Sequence, residues 1–285
     1  MSLSKPKYGW ARALLILIPW ILAVGIFQLI GGLILGIPLW QDLEHLNYWD
    51  RTIIDFFGLL GTLGIVWVFM KAVDKSPFID LGLSLKNRAK DILIGIALGL
   101  IIMSIGFGII YMSGYIEIEG TSFNILIFLA SLILFIIVGV NEEVFARGYI
   151  LRNLIESTNK YIALIISALF FAALHAFNPN MSWFSWLSLF LAGLSFGVVY
   201  MYSKNLWFPI ALHFSWNFFQ SLFGFNVSGQ DFYSLVDFSI STPNYFNGGA
   251  FGFEGSYLSL LAEVLIVVGA VWYYEKKQKT SKEFL

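Results

Sequence analysis

Residues 121–150 read TSFNILIFLASLILFIIVGVNEEVFARGYI. From Thr121 to Asn141 nothing is charged, and then Glu142, Glu143 and Arg147 follow within six residues. A membrane-spanning helix needs ~20 mainly apolar residues, which this stretch supplies. Each charge at mid-bilayer costs ~3 kcal/mol on insertion scales. Either something offsets that cost or something needs the charge.

The rest of the chain has the same character. Of 285 residues, 58% are hydrophobic and 12% charged, against about 25% charged in soluble domains. Mean hydropathy is +0.78. Roughly 12–37, 52–73, 91–114, 122–145, 160–178, 183–203, 205–225 and 256–274 read as spans, giving an all-α polytopic bundle of about eight transmembrane helices. Asn178-Pro179-Asn180 divides the fifth from the sixth, and Lys204-Asn205 the sixth from the seventh. The uncharged run from Ala13 to Trp40 is too long for a signal-peptide core of 7–15 residues, so it reads as a retained first helix.

With both termini in the cytoplasm and strict alternation, sixteen Lys and Arg fall inside and Arg51 alone outside. That asymmetry is the positive-inside pattern. The whole chain, 1–285, reads as one integral, multi-pass membrane domain, and its residue usage suggests a bacterial cell membrane. The stretch 226–255 reads as an outer loop without Lys or Arg, more simply mobile than a cap. A net charge of −1 gives no support for a nucleic-acid partner. The absence of cysteine excludes thiolate metal sites, a cysteine nucleophile and prenyl or palmitoyl anchoring of this chain.

On a helix, Glu143 and Arg147 are i,i+4 neighbours with the acid first, the favourable order for a pair. Glu142 points about 100° away and is left to face a cavity. Two of the three histidines fall in apolar segments: His175 in FFAALHAFNPN and His213 in FPIALHFSWNFFQ. Intramembrane ionisable groups are functional candidates. His45, beside Asp42 and Glu44 in an outer loop, needs no special role. Phe171 precedes His175 by four residues, so its ring packs beside the imidazole and helps exclude water. His213 and Asn217 leave one helix face together.

A glutamate and a histidine can activate water. A histidine and an asparagine can donate to an oxyanion. The Glu142–His175–His213 trio is also a donor set for zinc with an open position. Residue types alone do not choose.

The order EExxxR (Glu142, Glu143, Arg147), FxxxH (Phe171, His175) and HxxxN (His213, Asn217) resembles the CAAX protease and bacteriocin-processing family of intramembrane proteases, type II CAAX prenyl endopeptidase-like. The resemblance covers roughly 80–225, a protease core, and is most diagnostic between 141 and 217. It implies an eight-helix bundle with its site inside the membrane. It implies that Glu142 and His175 activate the attacking water and that His213 and Asn217 form the oxyanion hole. Glu143, Arg147 and Phe171 would support them. The family is described both as zinc metalloproteases and as metal-free glutamate proteases, so zinc stays open, with a slight lean against an obligatory ion. The implied partners are membrane lipids and a peptide or lipidated protein substrate. In bacteria the association is with bacteriocin maturation or self-immunity.

Three rival readings remain. GLSFG at 193–197 matches G-x-S-x-G and offers a Ser195–His213 dyad, though Gly193 and Gly197 are also a helix-packing pair. Asp55 and Glu263, in apolar segments, would suit a transporter. A third is a peptide-binding immunity protein without catalysis. One tension is geometric. With helix four ending near 145, Glu142 lies ~28 Å below the outer surface while His175 rises ~22 Å from the inner one, and the two depths do not meet.

Overall fold

The computed structural model describes residues 8–38 and 46–283. His45, Asp42 and Glu44 lie outside the described residues. Among those residues the chain forms eight helical rods and one short two-stranded ribbon. The rods are α1 (Gly9–Ile34), α2 (Tyr48–Ala72), α3 (Ala89–Met112), α4 (Ile125–Ser157), α5 (Lys160–Leu174), α6 (Trp183–Ser203), α7 (Trp207–Leu222) and α8 (Tyr257–Glu283). Six are long and apolar enough to cross a membrane, while α5 and α7 are shorter. The ribbon pairs β1 (Glu117–Thr121) antiparallel to β2 (Val236–Ser239), with a bulge between Ile118 and Gly120.

Caps set the ends. Asn124 accepts from the backbone N–H groups of Leu126 and Ile127, and Asn159 from that of Tyr161, so each holds the orphan donors of a first turn. Lys204, with φ +52°, turns the chain between α6 and α7.

The main departure from expectation is the length of α4. It does not stop near 145. It passes through a π-helical stretch, Val144–Leu151, and runs on as α-helix to Ser157. Its polar end is held by ion pairs from other rods: Arg12 contacts Glu156 and Asp74, and Arg152 reaches Asp74. Tyr149 donates to Asp74 as well.

This extension removes the depth conflict. The α4–α5 hairpin turns at Thr158–Asn159. Glu142 lies fifteen residues, ~22 Å, before Ser157, and His175 lies fifteen residues, ~22 Å, after Lys160. Equal arms bring both to one level. The sequence reading had the wrong end for helix four, and tilt is not needed.

Small residues let the rods close. A Cβ on Gly193 would stand 2.8 Å from the Ala168 Cα, so α6 and α5 approach backbone to backbone. Gly99 likewise admits Ser215 of α7 against α3. Aromatic and aliphatic side chains of α1, α2, α4, α6 and α7 fill the largest core cluster, and Trp20 stacks on Phe145 with ring centres 3.9 Å apart. A groove of about 720 Å³ between α3 and α8, walled largely by aliphatic side chains, lies on the outside of this core.

Candidate active site

Inside the bundle is a second cavity, of about 460 Å³. Its walls include Glu142 of α4, Phe171 of α5, His175 just beyond α5, and His213 and Asn217 of α7. Four of the five are polar residues in a largely aromatic and aliphatic setting that contains Phe135, Phe196 and Leu189.

Glu143 and Arg147 form the support beneath it. Both side chains are fully buried, and Arg147 Nη1 donates to Glu143 Oε1 at 2.7 Å. Arg147 Nη2 donates to the Gly193 carbonyl at 3.1 Å. Its guanidinium lies over the Phe171 ring, 4.3 Å from the centroid, a cation–π contact strengthened by desolvation. The π-helical stretch containing Arg147 begins immediately after Glu143, and such stretches commonly re-aim functional side chains.

Both imidazoles are oriented through Nδ1. His175 Nδ1 is 2.8 Å from the Phe171 carbonyl oxygen, which can only accept, so Nδ1 carries the proton. His213 Nδ1 is 2.8 Å from Glu143 Oε1. Phe196 stacks flat on His213 at 4.6 Å, and Phe171 lies 4.7 Å from His175.

The two Nε2 atoms then face one carboxylate oxygen. Glu142 Oε2 is 3.7 Å from His175 Nε2 and 3.9 Å from His213 Nε2. That oxygen is buried and accepts no hydrogen bond from the described residues. The Asn217 side chain, 6% exposed, also makes none. Groups that are buried yet unsatisfied call for a function. Here they surround a space in which a carbonyl and a water would satisfy them.

Zinc would need its donors ~2.0–2.2 Å from a common point. Among the described residues, no group of three or more His, Cys, Asp or Glu side chains is gathered tightly enough to hold a metal ion. The trio as arranged does not fit the ion.

The other sequence candidates are placed elsewhere. Ser195 Oγ donates to the Ala192 carbonyl of its own helix, and both His213 ring nitrogens face glutamates. The close approach at Gly193 is what the GLSFG stretch provides. Asp55 lines the cavity and pairs with Arg51 at 4.0 Å. Glu263 is buried on α8 among Ser188 and Ser259, away from the cavity lining.

The sequence reading missed the roof. Residues 226–255 pack over the cavity, with Val227, Ser228, Gln230, Phe232 and Glu254 in its lining. Asn178 and Asn180 donate to the Ser228 and Gly229 carbonyls. Arg51 donates to Gln230 and lies over Phe232. The cap expected less than a mobile loop is what forms. No helical or strand period marks the stretch. Its one readable signal is the glycine-rich GGAFGFEG at 248–255, where Gly248, Gly249 and Gly252 take positive φ.

A bundle of apolar rods, six of them long enough to cross a membrane, around a buried polar cluster is the architecture of an integral, multi-pass membrane protein. Residues 123–219 match the family model described as type II CAAX prenyl endopeptidase Rce1-like. Over that segment the chain is similar to the Rce1-like family, whose members are proteases acting on protein substrates in the membrane. No curated protein matches the chain. The matched segment spans α4 to α7 and contains Glu142, Glu143, Arg147, Phe171, His175, His213 and Asn217.

Proposed function

We propose that this protein is an intramembrane endopeptidase that hydrolyses a peptide bond by water activated without a metal. The observation that carries the reading is the convergence of Glu142 Oε2, His175 Nε2 and His213 Nε2 beside the unpartnered Asn217 amide. A water between Glu142 and His175 loses a proton to this base pair as its oxygen attacks the scissile carbonyl carbon. The oxyanion is stabilised by the Asn217 amide and by His213. His213 can donate from Nε2 as the imidazolium, because Nδ1 already donates to Glu143. Collapse breaks the C–N bond, and the proton held by Glu142 passes to the leaving amine.

The substrate is a peptide or the end of a protein presented at the membrane, lipidated or not. The outer roof and cytoplasmic termini follow from the Lys and Arg asymmetry. A bacterial membrane and bacteriocin processing or self-immunity fit the chain's resemblance. The test is cleavage of a peptide library by purified protein in detergent, wild type against Glu142→Gln and His175→Ala. Cleavage lost in both variants, with folding intact, supports the reading. Cleavage by Glu142→Gln at the wild-type rate overturns it, and peptide binding without cleavage would favour an immunity protein.

A further inference from the structure

The roof contributes one ionisable side chain to the cavity, and the mechanism does not use it. Glu254 sits in a single 3-10 turn, Phe253–Gly255, held inward by tight backbone on either side. At Gly252, φ is +97° and a Cβ would stand 1.8 Å from the Asn226 carbonyl oxygen, so only glycine lets the turn close. Glu254 is 5% exposed and lines the cavity. Its Oε2 accepts from the Ser228 backbone N–H at 2.7 Å and from Ser228 Oγ at 2.9 Å. Its Oε1 accepts from none of the described residues.

The charges around the cavity do not balance. Four ionisable residues other than histidine line it: Arg51, Asp55, Glu142 and Glu254. Arg51 is engaged by Asp55, Gln230 and Phe232. Among the described residues no Lys or Arg forms an ion pair with Glu142 or Glu254, although two neutral-capable imidazoles face Glu142 and Arg147, committed to Glu143, lies near it. A carboxylate shut away from water without a cation is unfavourable, and a pocket of one sign attracts the opposite charge. Phe171, Phe196 and Phe232 are suited to the apolar stem of a long side chain. Asn217, more than nine-tenths buried and unpartnered, fixes where a carbonyl would sit in the same space.

We propose that Glu254 is a specificity residue that receives the cationic side chain of a Lys or Arg flanking the scissile bond. This rests on the protease reading above and names its substrate class: membrane-presented peptides with a basic residue beside the cleaved bond. Burial raises the Glu254 carboxyl above its ordinary range, against the Ser228 hydrogen bonds and the nearby His175 and His213. An arriving ammonium or guanidinium reverses that preference and holds the carboxylate ionised.

The test uses the full chain in detergent and N-acetylated, C-amidated peptides identical but for Lys, Arg, norleucine or Glu at each position near the cleaved bond. Blocked ends ensure that the side chain, rather than a terminal amine, supplies the charge. The wild type should favour Lys or Arg over norleucine about tenfold or more in kcat/KM, as for a charged hydrogen bond in a closed site. Glu254→Gln, which can keep the Ser228 bonds, should lose that preference, and Glu254→Lys should transfer it to Glu. Equal cleavage of Lys and norleucine peptides by the wild type overturns the proposal, as does an unchanged preference in Glu254→Gln. Binding of the same peptides to Glu142→Gln, read by fluorescence anisotropy, gives an answer independent of catalysis. If no peptide is cleaved, the protease reading fails, while equal Kd for Lys and norleucine peptides overturns this proposal separately.

Discussion

His213 Nδ1 lies 2.8 Å from Glu143 Oε1, the same oxygen that accepts from Arg147 Nη1 at 2.7 Å. One buried carboxylate oxygen therefore neutralises the arginine and fixes the histidine. Glu143 is tied to the fold through Arg147 and to the proposed chemistry through His213.

Arg147→Ala should be among the most damaging substitutions. It strands a buried carboxylate, which typically costs about 3–5 kcal/mol, and removes the guanidinium from between Phe171 and the Gly193 carbonyl. Thermal unfolding in detergent should show a large fall in Tm. A double variant, Glu143→Gln with Arg147→Met, should recover part of the stability without recovering turnover. Equal Tm for Arg147→Ala and wild type would contradict the role assigned to the pair.

Glu142→Gln should behave in the opposite way. Glu142 Oε2 accepts no hydrogen bond from the described residues, so little stability is lost. Turnover should fall about 10²–10⁴-fold, the usual worth of a general base. Single-turnover cleavage beside an unfolding curve separates the two effects.

Asn217→Ala should lower kcat about 10²–10³-fold, the cost of losing one oxyanion donor. KM and Tm should change little, because the amide makes no hydrogen bond to the described residues. Ser195→Ala should cleave normally, since Ser195 Oγ bonds within its own helix. A Ser195→Ala variant that folds but does not cleave would restore the serine reading.

Zinc measured by mass spectrometry on purified protein should be well below one ion per chain, and turnover should persist after chelation. The reason is that no metal-holding cluster of His, Cys, Asp or Glu forms among the described residues. Stoichiometric zinc, lost in His175→Ala, would replace the metal-free mechanism.

Glu254 should leave a pH signature on stability. Burial raises its carboxyl from 4.5 in the folded protein. The folded state then binds the proton more tightly than the unfolded chain, so stability falls as pH rises from about 4.5 through the raised value. Unfolding curves for wild type and Glu254→Gln should diverge across that window, with wild type losing ground at higher pH. Parallel curves would mean that the carboxyl is not held as described.

The rods were legible because bilayer length and hydropathy dictate them, and boundaries at Asn124, Asn159 and Lys204 carry local signals. The pairing of Glu143 with Arg147 followed from helical spacing alone. The end of α4 was not legible. Arg152, Asn153 and Glu156 look like a loop beside the apolar run, and the contacts from Arg12 and Asp74 that keep them helical come from far along the chain. Glu254 was invisible for a similar reason. Its place in the same cavity wall as Glu142 depends on a glycine-bent roof, and no periodicity links residue 254 to residue 142.

The equal arms of the α4–α5 hairpin act as a ruler. Adding one residue to either arm would slide Glu142 past His175 by ~1.5 Å and swing the residue at that arm's end about 100° round its helix. The proposed chemistry therefore tolerates length changes only where level and facing are both kept. A deletion of one residue within 143–157 should abolish turnover, and a matching deletion within 160–174 should not restore it, because level returns but facing does not.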